Sequence, residues 1–379
     1  MIALVVEALA RRHRVTVLCG RPSYDPSERY PYSLLRREVK DNVVVERVGS
    51  TAYPRFRMRR RVSNYLTYLA LAVPRALAIR ADVILAMTDP PIAGLAGALV
   101  ARLSGRPLVY NIRDLYPDMA VAGEIVPRSR WVAGWERLHR RALRQAARVI
   151  VLGEDMRDRI VAKGVDPARV VVVRDGVPLP DTIFSADHPV AQEIRCGFPF
   201  VLLHAGNLGF YGAWDTLLRA AQLLEQDGVG LVFVGEGAQR AQLESAAAGC
   251  RAVRFLPFRP AEQVPYVLAA GDLHVVTVRR GLEGVVVPSK LYPILAAGRP
   301  VLAVAPEETD AARIVRRSGC GVTADPDDPA AVADVVRALA RDPQRVAEMG
   351  RRAREIAHSY DRVKQLEIFV RTLEEVAGE

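Results

Sequence analysis

Val287-Pro288-Ser289-Lys290-Leu291-Tyr292-Pro293-Ile294-Leu295-Ala296-Ala297-Gly298-Arg299-Pro300 reads as a loop, a short apolar helix and a glycine stop, leading into a buried strand at 301–305. Ser289 can cap the helix, whose unpaired N–H groups and positive dipole end favour an anion. Lys290 adds a mobile positive charge at the same place. Gly298 ends the helix and Pro300 forbids its continuation. Two readings of this geometry stay open: a phosphate-binding turn, or an ordinary β-loop-α-turn-β unit.

Short β-branched runs alternate with helical patterns along the chain. The runs lie at 15–19, 43–48, 83–87, 108–112, 149–152 and 170–173, and resume at 200–204, 231–234, 252–255, 273–278, 301–305 and 321–323. Helical patterns include 131–146, 213–225, 238–248 and 330–341. Continuous apolar strands separated by helices imply parallel sheets covered on both faces. Asp328 before Pro329 is a cap followed by a first-turn proline. The proline-bearing, aperiodic stretch 176–199 divides the runs into two groups, each able to build one doubly wound sheet. The fold class expected is therefore α/β with two Rossmann-like domains facing a cleft. Residues 1–176 form the first domain, 177–358 the second, and 359–379 a last helix without a strand partner. Residues 5–12 read as the back half of a helix entering the strand at 15–19, so the first strand of the N-terminal domain is expected to be missing.

At 379 residues and half hydrophobic, the chain suits two domains with sizeable cores. Cys19, Cys196, Cys250 and Cys320 stand far apart, which suggests a reducing compartment and no structural zinc. The six histidines show no metal-ligand spacing. Glu7 interrupts the apolar start, against a signal peptide, and no run offers about 20 clean apolar residues for a membrane span. Residues 1–80 carry 16 Lys/Arg against 6 Asp/Glu, the whole of the net +10. That excess peaks at Arg55, Arg57, Arg59, Arg60 and Arg61, just before the aromatic and aliphatic run 65–71. Basic residues beside an amphipathic helix point to an anionic membrane surface as membrane contact. A solvated loop and nucleic acid are the rivals, although no nucleic-acid motif accompanies the cluster.

Two glycine turns follow strands and open helices: Gly206-Asn207-Leu208-Gly209, and Gly235-Glu236-Gly237. Glycine lets backbone approach a ligand, and the helix start favours phosphate; tight-turn chemistry alone would explain either. With Val-Pro-Ser-Lys-Leu-Tyr and Ala-Ala-Gly-Arg-Pro at 287–300 and Val-Arg-Asp-Gly-Val at 173–177, the order of motifs resembles glycosyltransferase family 4, retaining enzymes of the GT-B fold. The likeness runs over essentially the whole chain. Arg113-Asp114-Leu115-Tyr116-Pro117-Asp118 resembles a segment of the branch that adds fucose-type or N-acetylfucosamine-type sugars in bacterial surface-polysaccharide synthesis.

The resemblance implies a nucleotide-sugar donor of UDP or GDP type in the C-terminal domain and a lipid-linked or polysaccharide acceptor in the N-terminal one. Gly206, Asn207, Gly209, Pro288, Ser289, Lys290 and Leu291 would face the diphosphate. Gly235, Glu236, Gly237 and Phe258 would surround base and ribose. Lys290, Glu283 and Asp114 are the catalytic candidates, no metal or other cofactor is expected, and the place of work is the inner face of the plasma membrane. The last helix would cross back to the N-terminal domain. Departures from the family pattern are Pro293 where the ribose-gripping glutamate is expected, Arg113 for a histidine, and Phe210, Tyr211 and Trp214 where an Arg/Lys pair is common. For Asp114 a turn role competes with an acceptor-site carboxylate. For Glu283 a solvated loop competes with a sugar contact. Trp131 and Trp135 are expected to pack, and Asp325-Pro326-Asp327 to serve helix capping. A nucleotide-sugar 2-epimerase of the same fold, or a degenerate membrane-associated partner, are the alternatives.

Overall fold

The computed structural model describes residues 2–21, 32–53, 58–124 and 126–378, residues 58–61 through their backbone alone. The N-terminal part runs α1 (Ile2–Ala10), β1 (Val15–Cys19), β2 (Leu35–Lys40), β3 (Val43–Val48), α2 (Met58–Ala78), β4 (Ile84–Ala86), α3 (Ala93–Ser104), β5 (Leu108–Asn111), α4 (Asp118–Ala122), α5 (Arg130–Gln145), β6 (Arg148–Val151), α6 (Glu154–Ala162) and β7 (Val170–Val172). The C-terminal part runs α7 (Pro189–Arg195), β8 (Phe200–Ala205), α8 (Trp214–Leu223), β9 (Val229–Val234), α9 (Arg240–Ala246), β10 (Val253–Leu256), α10 (Val264–Ala270), β11 (Leu273–Thr277), α11 (Leu291–Ala296), β12 (Val301–Val304), α12 (Asp310–Ser318), β13 (Gly321–Ala324), α13 (Pro329–Ala340), α14 (Pro343–Ala357) and α15 (Arg362–Gly378).

The C-terminal sheet has the order β10-β9-β8-β11-β12-β13, with every pair parallel. Winding goes outward in one direction from β8 and in the other from β11, so a crevice opens at the carboxyl ends of these two neighbours. Open α/β sheets bind ligands at such a switch point. β9 and β11 are buried along their whole length, as their unbroken apolar runs require.

In the N-terminal part, β4-β5-β6-β7 form one parallel sheet and β1-β3-β2 another, with β2 antiparallel to β3. β2 was not legible as a strand: Leu35-Arg36-Arg37-Glu38-Val39-Lys40 has no apolar run and is mostly solvent-exposed. Its signal is the two-residue connection Asp41-Asn42, with Asp41 at φ 51°, which closes a hairpin onto β3. The charged side chains suit an edge strand, where they discourage pairing with another chain.

α15 lies against the N-terminal part. Phe369, Leu373 and Val376 pack in one cluster with Val5, Val109, Ile150 and Val173. The chain thus passes between the two parts twice, and the two passages touch. Val177 bridges Asp361, and Gly176, at φ +60°, has the Tyr360 carbonyl oxygen 2.8 Å from where a Cβ would stand.

Polar contacts join the two parts further in. The Asp310 carboxylate, at the start of α12, accepts from Arg174 at 2.7 Å and from the Glu154 N–H at 2.9 Å. Asp155 accepts from the Gly284 N–H at 3.2 Å, and Arg159 donates to the Glu283 carbonyl at 2.6 Å. Arg313 pairs with Asp158, and Arg317 with Glu154. Burial pushes the Asp155 carboxyl up to about 6, and the neighbouring Asp310 charge adds to the rise. The folded state therefore holds this proton to a higher pH than the unfolded chain does, and stability falls as pH rises from the unfolded value toward about 6. Asp155→Asn removes that penalty while an amide oxygen can still accept from Gly284. The variant's stability relative to the parent should rise across this window by roughly 3 kcal/mol and level off above it. Denaturant melts at a series of pH values measure it, and a gain independent of pH contradicts the assignment.

Candidate active site

The crevice beyond β8 and β11 is built first by backbone. Gly206 N–H donates to the Val234 carbonyl at 2.8 Å, Leu208 N–H to Glu236 at 2.8 Å, and Gln239 N–H to Leu208 at 3.0 Å. The two glycine turns therefore lie directly on one another. At Gly235 (φ +151°) a Cβ would stand 2.0 Å from the Gly206 carbonyl oxygen, and at Gly237 (φ +159°) 2.4 Å from that of Leu208. No side chain fits at either position. Trp214 Nε1 donates to the Gly209 carbonyl at 2.6 Å, and the Ala213 N–H donates to Thr277 Oγ1 at 3.0 Å, which fixes the first turn to β11.

Lys290 reaches into this frame from the 287–300 stretch. Its Cε lies 2.8 Å from the position of a Cβ on Gly206, so a side chain there would push the end of the lysine aside, and φ +132° favours glycine in any case. Nζ meets three acceptors: His204 Nε2 at 2.6 Å, the Asn207 carbonyl at 3.2 Å and Tyr211 Oη at 3.1 Å. The Tyr211 hydroxyl in turn donates to the same Asn207 carbonyl. His204, fully buried at the end of β8, has its pKa driven well below the ordinary imidazole value by burial and then by Lys290, so it is neutral and can accept. Burial lowers Lys290 itself to about 7. An ammonium in this position is ready for an anion, and an anion arriving above it would raise its proton affinity.

Other candidates are distributed around this centre. Gly206, Asn207, Gly209, Gly235, Glu236, Gly237 and Lys290 come together at the switch point. Two amides of the first turn are already used, Gly206 toward Val234 at the end of β9 and Leu208 toward Glu236 in the second turn, and Lys290 is the cation beside them. Ser289 does not cap the helix: α11 starts at Leu291 with Lys290 in the cap position and no side-chain cap bond. Pro293 sits in the first turn of α11, where it is tolerated, and Gly298 closes the helix at φ +65°. Leu291 and Pro288 are buried, Leu291 in the cluster with Val276, Ile294 and Leu295. Glu236 forms an ion pair with Arg240 at 2.5 Å, and Arg240 also bonds the Gly235 carbonyl at 2.7 Å. Phe258 is exposed.

Glu283 folds onto its own loop, accepting from the Gly281 N–H at 2.9 Å. Asp114 follows β5, and burial raises its carboxyl above the ordinary range although Arg113 pulls the other way. Arg113 is held by Asp175 at 2.7 Å. Arg280 engages both Asp325 and Asp327, while the cap of α13 is Asp328; the acidic triplet is an ion-pair cluster, and the capping expectation holds for Asp328 alone. Trp135 stacks on Tyr116 at 5.9 Å, but Trp131 is 89% exposed and packs on nothing comparable, against expectation. Arg55 and Arg57 lie outside the described residues, and Arg59, Arg60 and Arg61 begin α2 with backbone described only. His204, Tyr211 and Arg240 were missed from sequence. The histidine closes an apolar strand and looks like core; its role appears only when Lys290 folds back over β8.

Residues 1–176 match the glycosyl transferase 4-like domain, and residues 199–342 match the glycosyl transferases group 1 domain. The chain belongs to the GT-B-type glycosyltransferases. It is 28% identical over 266 residues to WbjE of Pseudomonas aeruginosa, a protein named as a glycosyltransferase, covering 68% of this chain and 66% of that one. It is 28% identical over 255 residues to WcaI of Escherichia coli K12, named for colanic acid biosynthesis, covering 64% and 62%. The chain thus spans somewhat under two thirds of the length of these curated relatives. The crystal structure of HepE from Anabaena with UDP superposes with a TM-score of 0.64 at 20% identity, over 87% of this chain and 86% of that one.

If Lys290 is the anion grip, binding of UDP above pH 7 must draw a proton onto its amine. Calorimetric titrations at pH 8 in buffers of different ionisation enthalpy should show uptake approaching about one proton per UDP, shrinking toward pH 6. Lys290→Met should abolish the uptake; uptake unchanged in the variant contradicts the assignment.

Proposed function

We propose that this protein transfers a sugar from a nucleotide-sugar donor, of UDP or GDP type, to a lipid-linked or polysaccharide acceptor with retention, in bacterial cell-surface polysaccharide synthesis. The carrying observation is Lys290 Nζ standing over the first glycine turn at the β8/β11 switch point, with the second glycine turn beside it. The UDP seen in HepE supports the donor, and colanic acid biosynthesis in the name of WcaI supports the pathway. A fucose-type or N-acetylfucosamine-type sugar is the finer reading, supported by the Arg113–Asp118 stretch at the carboxyl end of β5.

In such a transfer the sugar passes through an oxocarbenium-like state while negative charge grows on the leaving diphosphate. A cation preorganised at those oxygens favours the transition state over the ground state. Lys290 takes that part, so the reading needs no metal. The leaving phosphate can accept the acceptor proton on the face from which it departs, so the new bond forms on that same face, with retention, and no protein base is needed. In this reading Asp114, whose carboxyl is raised by burial, would meet an acceptor hydroxyl from the N-terminal side. Glu283 would have to leave the Gly281 N–H to touch the sugar. The acceptor would be met at the inner face of the plasma membrane, with the arginines of 55–61 toward the lipid. No helix among the described residues is long and apolar enough to cross a membrane.

Thermal shifts with UDP-, GDP- and dTDP-sugars identify the donor, since native-state binding raises stability. With the stabilising donor, Lys290→Ala should cut transfer by about 100-fold or more while leaving the melting temperature without ligand near that of the parent. The proton coupling of the product's anomeric carbon reads the stereochemistry. Unchanged turnover in Lys290→Ala, or an inverted product, overturns the proposal.

A further inference from the structure

Helix α5 hides one side, with His139, Ala142 and Leu143 buried, and shows another that soluble packing does not explain. Trp131 is 89% exposed, and Leu138, seven residues on and therefore on the same ridge, is 59% exposed. Gln145, seven further, donates to the Ala98 carbonyl of α3 at 2.9 Å, so this ridge borders α3. The outer side of α3 continues it with Leu99 and Leu103, both exposed and one turn apart. α3 also packs against α2, whose exposed Val62 and Leu66 extend the layer.

Charge on these helices is one-sided. α2, α3 and α5 together contain ten arginines and one acidic residue, Glu136. Glu136 already binds Arg140 at 2.6 Å and Lys163 at 2.8 Å. Arg102, Arg137 and Arg141 are exposed beside the apolar ridge. An aromatic and aliphatic ridge bordered by guanidinium groups matches the interface of an anionic bilayer, where indole rings sit at headgroup depth and arginines meet lipid phosphates.

We propose that the outer face of α3 and α5 docks this protein on an anionic phospholipid surface, with Trp131 and Leu138 entering the headgroup layer. The surface adjoins the acceptor side of the cleft. One turn from Trp131, Trp135 stacks on Tyr116, two residues after Asp114. At the end of α4, Ala122 packs in the cluster with Phe210 and Tyr211 of the donor turn. A lipid-linked acceptor in the same bilayer would thus reach the cleft without leaving its membrane. The inference deepens the membrane-facing part of the proposed function, while docking itself does not depend on transfer.

Sedimentation of the full chain with phosphatidylcholine vesicles, with and without phosphatidylglycerol, tests it. Binding should require phosphatidylglycerol and weaken with salt. Trp131→Ser with Leu138→Ser, and separately Arg137→Ser with Arg141→Ser, should each reduce the partition coefficient by about tenfold or more. Melting temperature and the nucleotide-sugar thermal shift should not change. Parent-like sedimentation of both double variants overturns the proposal. So does loss of binding only on replacing Arg59, Arg60 and Arg61, which would put the contact at the start of α2 alone. A change of oligomeric state with vesicle binding intact would instead make the face a protein interface. Vesicle binding without any transfer would remove the glycosyl-transfer reading and leave docking standing.

Discussion

The contact between the glycine turns at Gly206 and Gly235 is the constraint on which the rest of the site depends. Two backbones meet so closely that a single methyl group at Gly235 would overlap a carbonyl oxygen. That approach is possible because β8 and β9 are neighbours in register from Phe200–Val229 to Ala205–Val234, so both strands end at the same level. The hydrogen bonds that follow, Gly206 to Val234 and Leu208 to Glu236, continue the ladder past the strands into the turns. The turns are therefore a rigid extension of the sheet, and Lys290 is laid across them from the far side of β11. A ligand-binding loop built this way costs little to order when the ligand arrives, because it is already ordered.

Much the same logic governs the relation between the two halves. Both chain passages run side by side at Gly176 and Tyr360, while α15 is fastened to the N-terminal sheet. Farther toward the cleft the contacts turn polar: Asp310 with Arg174, Asp155 with Gly284, Arg159 with Glu283. Directional, partly buried polar bonds tie Glu283's loop to α6 of the opposite half. The position of this loop over the donor crevice is thus set by the N-terminal half, although its residues belong to the C-terminal one. Movement of the halves would carry Glu283 relative to Lys290, which lies on the same chain segment but is anchored to β8.

The architecture was legible because apolar strands buried on both faces leave continuous β-branched runs, and twelve of those runs correspond to strands here. β2 was not, since an edge strand that must stay charged carries no such run. Within the site, the glycines announced themselves through spacing after strands. Lys290 could be singled out by its place before Pro293 and Gly298, but its partners could not. His204 sits where an apolar strand ends, and Tyr211 follows a glycine turn; neither pattern differs from ordinary packing until the fold brings 204, 211 and 290 within hydrogen-bond reach. Ser289 shows the converse. A serine before a short helix is a good cap in sequence, yet the helix begins one residue later, and its cap position is taken by the lysine whose side chain is drawn toward His204.

That displacement has an energetic meaning. An ammonium has three N–H donors, and here all three have acceptors: an imidazole, a carbonyl and a phenol. The lysine is satisfied without a ligand, so the pocket does not leave a naked buried charge in the unliganded state. To hold a phosphate, Nζ must exchange at least one of these bonds for a charge-assisted one. Such bonds are shorter and roughly twice as strong as neutral ones. A neutral ligand would offer no such gain and would leave His204 or Tyr211 short of a partner. An anion bound here, as proposed, would therefore be favoured by what the site gives up as well as by what it attracts. Tyr211, in the place where a second cation is common in the family this chain resembles, puts a neutral hydroxyl there instead, bonded to Lys290 and to the Asn207 carbonyl.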